Sequence, residues 1–142
     1  MKRFSSTIIS CALVAILSLL TFGACRKAPI NGKLDGQWQI MSIELTADGS
    51  DANPKLRSYI DINLHVVNLR NTANNLVAGN LRYDKDNSRL TLDFPYNTGG
   101  DAFLLLREWG IYQTPVTLDI IKLDSKQLVL RSPETIITCR RF

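Results

Sequence analysis

Between residues 36 and 142, apolar and polar side chains alternate in short runs separated by clusters of Gly, Pro, Asn, Asp and Ser. Alternation with a period of two sends successive side chains to opposite faces, so each run predicts a half-buried β-strand. The first run opens at Leu34-Asp35-Gly36-Gln37-Trp38-Gln39-Ile40. Trp38 and Ile40 share one parity and Met41, Ile43 and Leu45 the other, a switch that predicts a bulge near Ile40-Met41. Residues 46–58 (TADGSDANPKLRS) are polar and rich in turn formers, a long loop. Tyr59 to Arg70 predicts the longest strand, with Ile60, Ile62, Leu64 and Val66 inward and Tyr59, Asp61, Asn63 and His65 outward.

After a turn at 71–75, Val77, Gly79, Leu81 and Tyr83 share a face. A turn at 84–87 leads to Arg89–Phe94, with Leu90, Leu92 and Phe94 inward. Residues 95–101 (PYNTGGD) form a second long loop. Asp101 to Trp109 reads in two ways: a short helix N-capped by Asp101 and stopped by Gly110, or a buried strand built on Phe103-Leu104-Leu105-Leu106. Three further strands follow. Val116, Leu118 and Ile120 line the first, Leu128 and Leu130 the second, and Thr135–Phe142 is the last. Seven strands, or eight if 102–109 is extended, with no long helical period, predict an all-β fold: one antiparallel barrel or sandwich.

The N-terminal residues change the picture. Lys2 and Arg3 precede an apolar run from Ile8 to Leu20, and Phe22-Gly23-Ala24-Cys25 closes it. A short apolar run after basic residues, ended by small ones, is a secretory signal and not a spanning helix. Small residues before a Cys resemble the lipobox of bacterial lipoproteins, with Phe22 where Leu is commoner. That resemblance implies cleavage of residues 1–24, acylation of Cys25, and a lipid bilayer as partner. Arg26 follows the Cys in place of the Asp that retains such proteins at the inner membrane. Residues 26–29 carry no acidic surface-export signal. The expected place is the periplasmic face of the bacterial outer membrane. Residues 25–33 are then lipidated Cys and tether, and 34–142 the domain.

Without residues 1–24 the chain has 118 residues, with 15 basic and 13 acidic side chains and a net charge of about +2. No basic run interleaves with aromatics apart from the terminal Arg140-Arg141-Phe142, so charge and compartment both disfavour nucleic acid. With Cys11 lost and Cys25 lipidated, Cys139 has no partner for a disulfide, and an apolar core must supply the stability.

Gly36 and Trp38 resemble the Gly-x-Trp entry to the first strand of lipocalins, in which the Trp plugs one end of the barrel. The strand order and the last hairpin, Leu128–Arg131 and Ile136–Phe142, are similar to the lipocalin-like domain family of small bacterial lipoproteins, most of unknown function. The resemblance implies a single antiparallel, lipocalin-like β-barrel of about eight strands, with one short helix near 101–109. It also implies that Arg140 or Arg141 lies across the Trp38 ring. The Thr-Asp-Tyr loop motif of classical lipocalins is absent, which separates this chain from that subgroup and its retinoid-type ligands.

No enzyme signature is present. His65 is the only histidine, so a His-rich metal site is excluded, and Glu44, Glu108 and Glu134 are scattered singly. Gly99-Gly100 is a lone pair and no phosphate-cradling loop. Neither metal nor cofactor is expected, and the protein reads as a monomer. Two functions stay open. One is a tethered barrel that binds a small apolar or amphipathic ligand, with Tyr96, Trp109 and Tyr112 rimming its entrance. The other is a filled barrel that binds or inhibits an envelope protein, with Phe103 and Trp109 merely capping the core. An interior apolar cavity of about 300 Å³ or more favours the first. The bulk of Ile60, Ile62, Leu64, Leu90, Leu92, Phe94, Leu118 and Ile120 leans toward the second.

Overall fold

The computed structural model describes residues 29–96 and 99–142. Eight antiparallel strands close into one barrel in sequence order: β1 (Gly36–Leu45), β2 (Ser58–Asn63), β3 (Val66–Asn71), β4 (Leu76–Asp84), β5 (Arg89–Asp93), β6 (Val116–Leu123), β7 (Gln127–Arg131) and β8 (Thr135–Arg141). β1 pairs with both β2 and β8, so the sheet has no free edge. The β1–β8 register shifts between Ile40 and Ser42, where the apolar parity switches, and this bulge lets one strand bury Trp38 and Ile40 before it and Ile43 after it.

One expected strand is two. Residues 59–70 break at Leu64-His65 into the β2–β3 hairpin, in which Asn63 pairs with Val66. The break resets the parity, so Val67 and Leu69 point inward while Leu64 and Val66 stand 44% exposed. Leu64 adopts φ +57°, a left-handed value usually left to Gly or Asn. Neither Gly nor Asn stands at that position, and Asn63 just before it fits the outward parity of the run, so the alternation masks the turn. The eighth strand comes from this split. Residues 102–109 instead form a helix, α1 (Gly100–Leu105), which tightens into a 3₁₀ turn (Leu106–Trp109) and stops at Gly110.

Inside, the side chains interlock. Trp38, Trp109, Phe94, Ile43, Ile60, Ile62, Leu69, Leu90, Leu92 and Leu106 are each less than 2% exposed. Gly79 shows how tightly. A Cβ built there would stand 2.5 Å from Phe94 Cδ1, so the missing side chain of β4 is the space that the Phe94 ring fills. Eight strands enclose an interior just wide enough for side chains to fill, and these side chains fill it.

Candidate functional site

Antiparallel order sorts the connections between two ends. At one end lie residues 29–35, the 64–65 turn, the 85–88 turn, the 124–126 turn and the C-terminus. At the other lie the 46–57 loop, the 72–75 turn, the 94–115 connection and the 132–134 turn. Both long connections therefore share one end, opposite the segment that leads back to Cys25. Cys25 itself lies outside the described residues.

The N-terminal end is closed by Trp38. A 3₁₀ turn (Gly32–Leu34) buries Leu34 beneath the barrel, and Trp38 Nε1 donates to the Leu34 carbonyl at 2.9 Å. The Arg141 guanidinium carbon sits 4.9 Å from the centre of the Trp38 ring. Its Nη1 donates to the Lys33 carbonyl at 2.7 Å and its Nη2 to the Asp35 carbonyl at 2.8 Å. Gly36 makes this possible, because a Cβ there would lie 2.7 Å from Arg141 Nη2 and its φ is +139°. Arg140 takes no part in this stack. It turns to the outer wall and donates through Nε and Nη2 to Gln39 Oε1, at 3.1 and 2.9 Å.

At the loop end, Trp109 is fully buried and its Nε1 points to the Arg70 carbonyl at 3.4 Å, a weak contact. Thr135 Oγ1 donates to the Gly110 carbonyl at 2.7 Å, and the Phe94 amide donates to Thr114 Oγ1 at 2.8 Å, so the connection is pinned across the barrel mouth. Tyr96 is 91% exposed, and Tyr112 is half-buried with the Arg107 guanidinium 5.4 Å from its ring centre. The expected entrance residues thus occupy three different environments. Trp109 packs into the core from above, and Phe103 is half-buried against that core.

A concave feature at this end lies beside them. A cleft of about 490 Å³ runs between Ala52, Asn53, Pro54, Lys55 and Leu56 of the first long loop and Arg107 and Glu108 of the second connection. The loop wall is held in place. The Ala52 amide donates to the Ile43 carbonyl at 2.8 Å, the Ile43 amide to Asn53 Oδ1 at 2.7 Å, and the Asn53 amide to Asp51 Oδ1 at 2.8 Å. On the opposite wall, Asn71 Nδ2 donates to Glu108 Oε2 at 3.0 Å. Turn formers mark both connections in the sequence, but nothing there shows that Lys55 lines one cleft with Arg107 and Glu108. No periodicity links two loop segments that only barrel closure brings together.

Elsewhere, chemistry is sparse. Cys139 is fully buried, and burial pushes its thiol up to about 12, which keeps it protonated and inert. Among the described residues, no three His, Cys, Asp or Glu side chains gather as metal ligands do.

A family model for the lipocalin-like domain matches residues 18–142. The chain belongs to the lipocalin-like domain family. Two solved structures share the lipocalin-like architecture. A lipocalin-like protein from Bacteroides uniformis ATCC 8492 superposes with a TM-score of 0.63 at 17% identity, covering 78% of this chain and 100% of that one. An uncharacterized protein from Bacteroides eggerthii DSM 20697 gives a TM-score of 0.54 at 13% identity, covering 76% of this chain and 98% of that one. At these identities the likeness is one of fold. None of the curated proteins compared with the chain matches it. Within the lipocalin-like frame, the Trp38–Arg141 stack is the closed end and the Ala52–Glu108 cleft lies over the capped one.

Proposed function

We propose that this lipocalin-like protein is a non-enzymatic lipoprotein of the bacterial cell envelope that binds a small amphipathic ligand at its loop end. It is held through acylated Cys25 at the periplasmic face of the outer membrane and acts as a monomer. One observation carries the proposal. Side chains fill the barrel interior, which removes the interior site set out above as the mark of ligand binding, and the two long connections meet instead in a cleft at the end that faces away from the tether. Loops on a rigid scaffold are where binding residues concentrate. A cleft of about 490 Å³ falls within the range of small-molecule sites.

The second reading, a filled barrel that binds or inhibits an envelope protein, draws on the same interior and on the exposed Tyr96, Leu104 and Leu56 at this end. A cleft-filling variant tests where the ligand sits, and a wild type that no amphiphile stabilises favours the second reading. Ala52→Trp should abolish the thermal stabilisation given by single-chain amphiphiles while the fold survives, and Leu90→Ala, in the interior, should leave that stabilisation intact. If Leu90→Ala removes binding and Ala52→Trp does not, the ligand sits inside the barrel and the loop-end reading is wrong. For the anchor, wild type should incorporate a palmitate analogue and sediment with membranes, and Cys25→Ala should do neither. Soluble, unlabelled wild type would remove the tether from the account.

A further inference from the structure

The composition of the cleft narrows its ligand. Resting on the loop-end binding proposed above, we infer that the cleft takes a single-chain amphiphile with an anionic head. Ala52, Pro54 and Leu56 give it apolar surface, and Leu56 stays 39% exposed for want of a covering group. Lys55 and Arg107 stand on opposite walls, and among the described residues neither forms an ion pair. The acid of the cleft, Glu108, already accepts a hydrogen bond from Asn71. The lining thus carries two cations outside any ion pair and one carboxylate bonded to a neutral amide, a formal balance of +1.

Arg107 is also positioned. Its guanidinium carbon lies 5.4 Å from the centre of the Tyr112 ring, a contact that restrains the side chain beside the cleft. A planar fork of donors suits a carboxylate or phosphate oxygen pair, and Lys55 adds a point charge opposite. The hydrogen bonds that pin Ala52 and Asn53 to β1 make the apolar wall pre-formed, so little ordering is needed on binding. At about 490 Å³ the cleft has room for one aliphatic chain. The head then meets Arg107 and Lys55, and the chain lies along Pro54 and Leu56.

The test uses the chain from Arg26 onward, which carries every described element, and three ten-carbon amphiphiles below their micelle concentrations. Decanoate is anionic, decyl maltoside neutral and decyltrimethylammonium cationic. By isothermal titration in dilute salt, decanoate should bind at least about tenfold more tightly than the other two and weaken as salt screens the pairing. The double variant Lys55→Gln/Arg107→Gln should lose about tenfold or more for decanoate with its melting temperature unchanged. Lys33→Gln, at the opposite end, should bind as wild type does. If decyl maltoside binds as tightly as decanoate, or the cationic amphiphile binds best, the anionic head is refuted while loop-end binding stands. If none of the three binds, both fall.

Discussion

Replacing Trp38 by Ala removes the ring that closes the N-terminal end of the barrel. The side chain has no exposed surface, so its loss empties a cavity bounded by Leu34 and by the strands on either side of β1. Large core aromatics cut to Ala cost about 3–5 kcal/mol. Two local terms push Trp38 to the top of that range. The buried Leu34 carbonyl loses its donor, at about 1 kcal/mol or more, and Arg141 loses a ring contact worth about 0.5–1 kcal/mol. Trp109 is equally buried, but its indole contact is long, at 3.4 Å. Trp109→Ala should therefore cost about 1 kcal/mol less than Trp38→Ala. A domain stable by more than about 6 kcal/mol, within the usual 5–15, stays folded after either change but weakened. Urea unfolding followed by far-UV circular dichroism reads the difference without needing either indole. At a slope of about 2 kcal/mol/M, Trp38→Ala should lower the midpoint by about 2 M. If Trp109→Ala proves the costlier, or Trp38→Ala moves the midpoint by less than about 1 M, Trp38 is not the plug described.

Other outcomes follow from single contacts. Gly79→Ala drives a Cβ into the Phe94 ring and should cost about 1–3 kcal/mol in thermal or denaturant unfolding, with part of the loss recovered when Phe94→Leu is added. Arg141→Lys gives up two backbone acceptors and a stacked plane, so it should destabilise more than Arg140→Lys, whose contacts end at Gln39. Cys139 should resist a thiol reagent in the native protein and react once urea unfolds it. Its folded pKa is raised above the ordinary 9.0 to about 12, so the unfolded chain releases the proton first. Its contribution is fully present below pH 9 and is lost as pH rises toward 12, at up to about 1.4 kcal/mol per pH unit, a slope that Cys139→Ala should remove.

The barrel was legible because its walls obey period two. Val77, Leu81, Leu90, Leu92, Leu118, Leu128 and Leu130 all bury the face their parity predicts. Even the β1 bulge showed as a parity switch. The β2–β3 turn was hidden, because the left-handed position falls on Leu64 and Asn63 before it reads as one more outward residue of the alternation. Between helix and strand for residues 102–109, the apolar run alone could not decide. Burial of Leu106 and Trp109, three positions apart on one side of the turn, is what the helix secures. The cleft was the least legible part. Lys55 and Arg107 sit in segments without periodicity, and their meeting depends on how the barrel closes. Aromatic density drew attention to Tyr96, Trp109 and Tyr112, yet sequence proximity does not make side chains converge, and these three do not share one environment.

The central claim, a filled barrel that binds at its loop end, is tested most directly by mapping amide chemical shifts while decanoate is titrated into the isotopically labelled chain. Shifts should be confined to residues 52–56 and 107–112, with inward positions such as Ile62, Leu90 and Leu92 unmoved. Shifts running along the inward faces of β2 and β5, with the loop end silent, would place the ligand inside the barrel and contradict it.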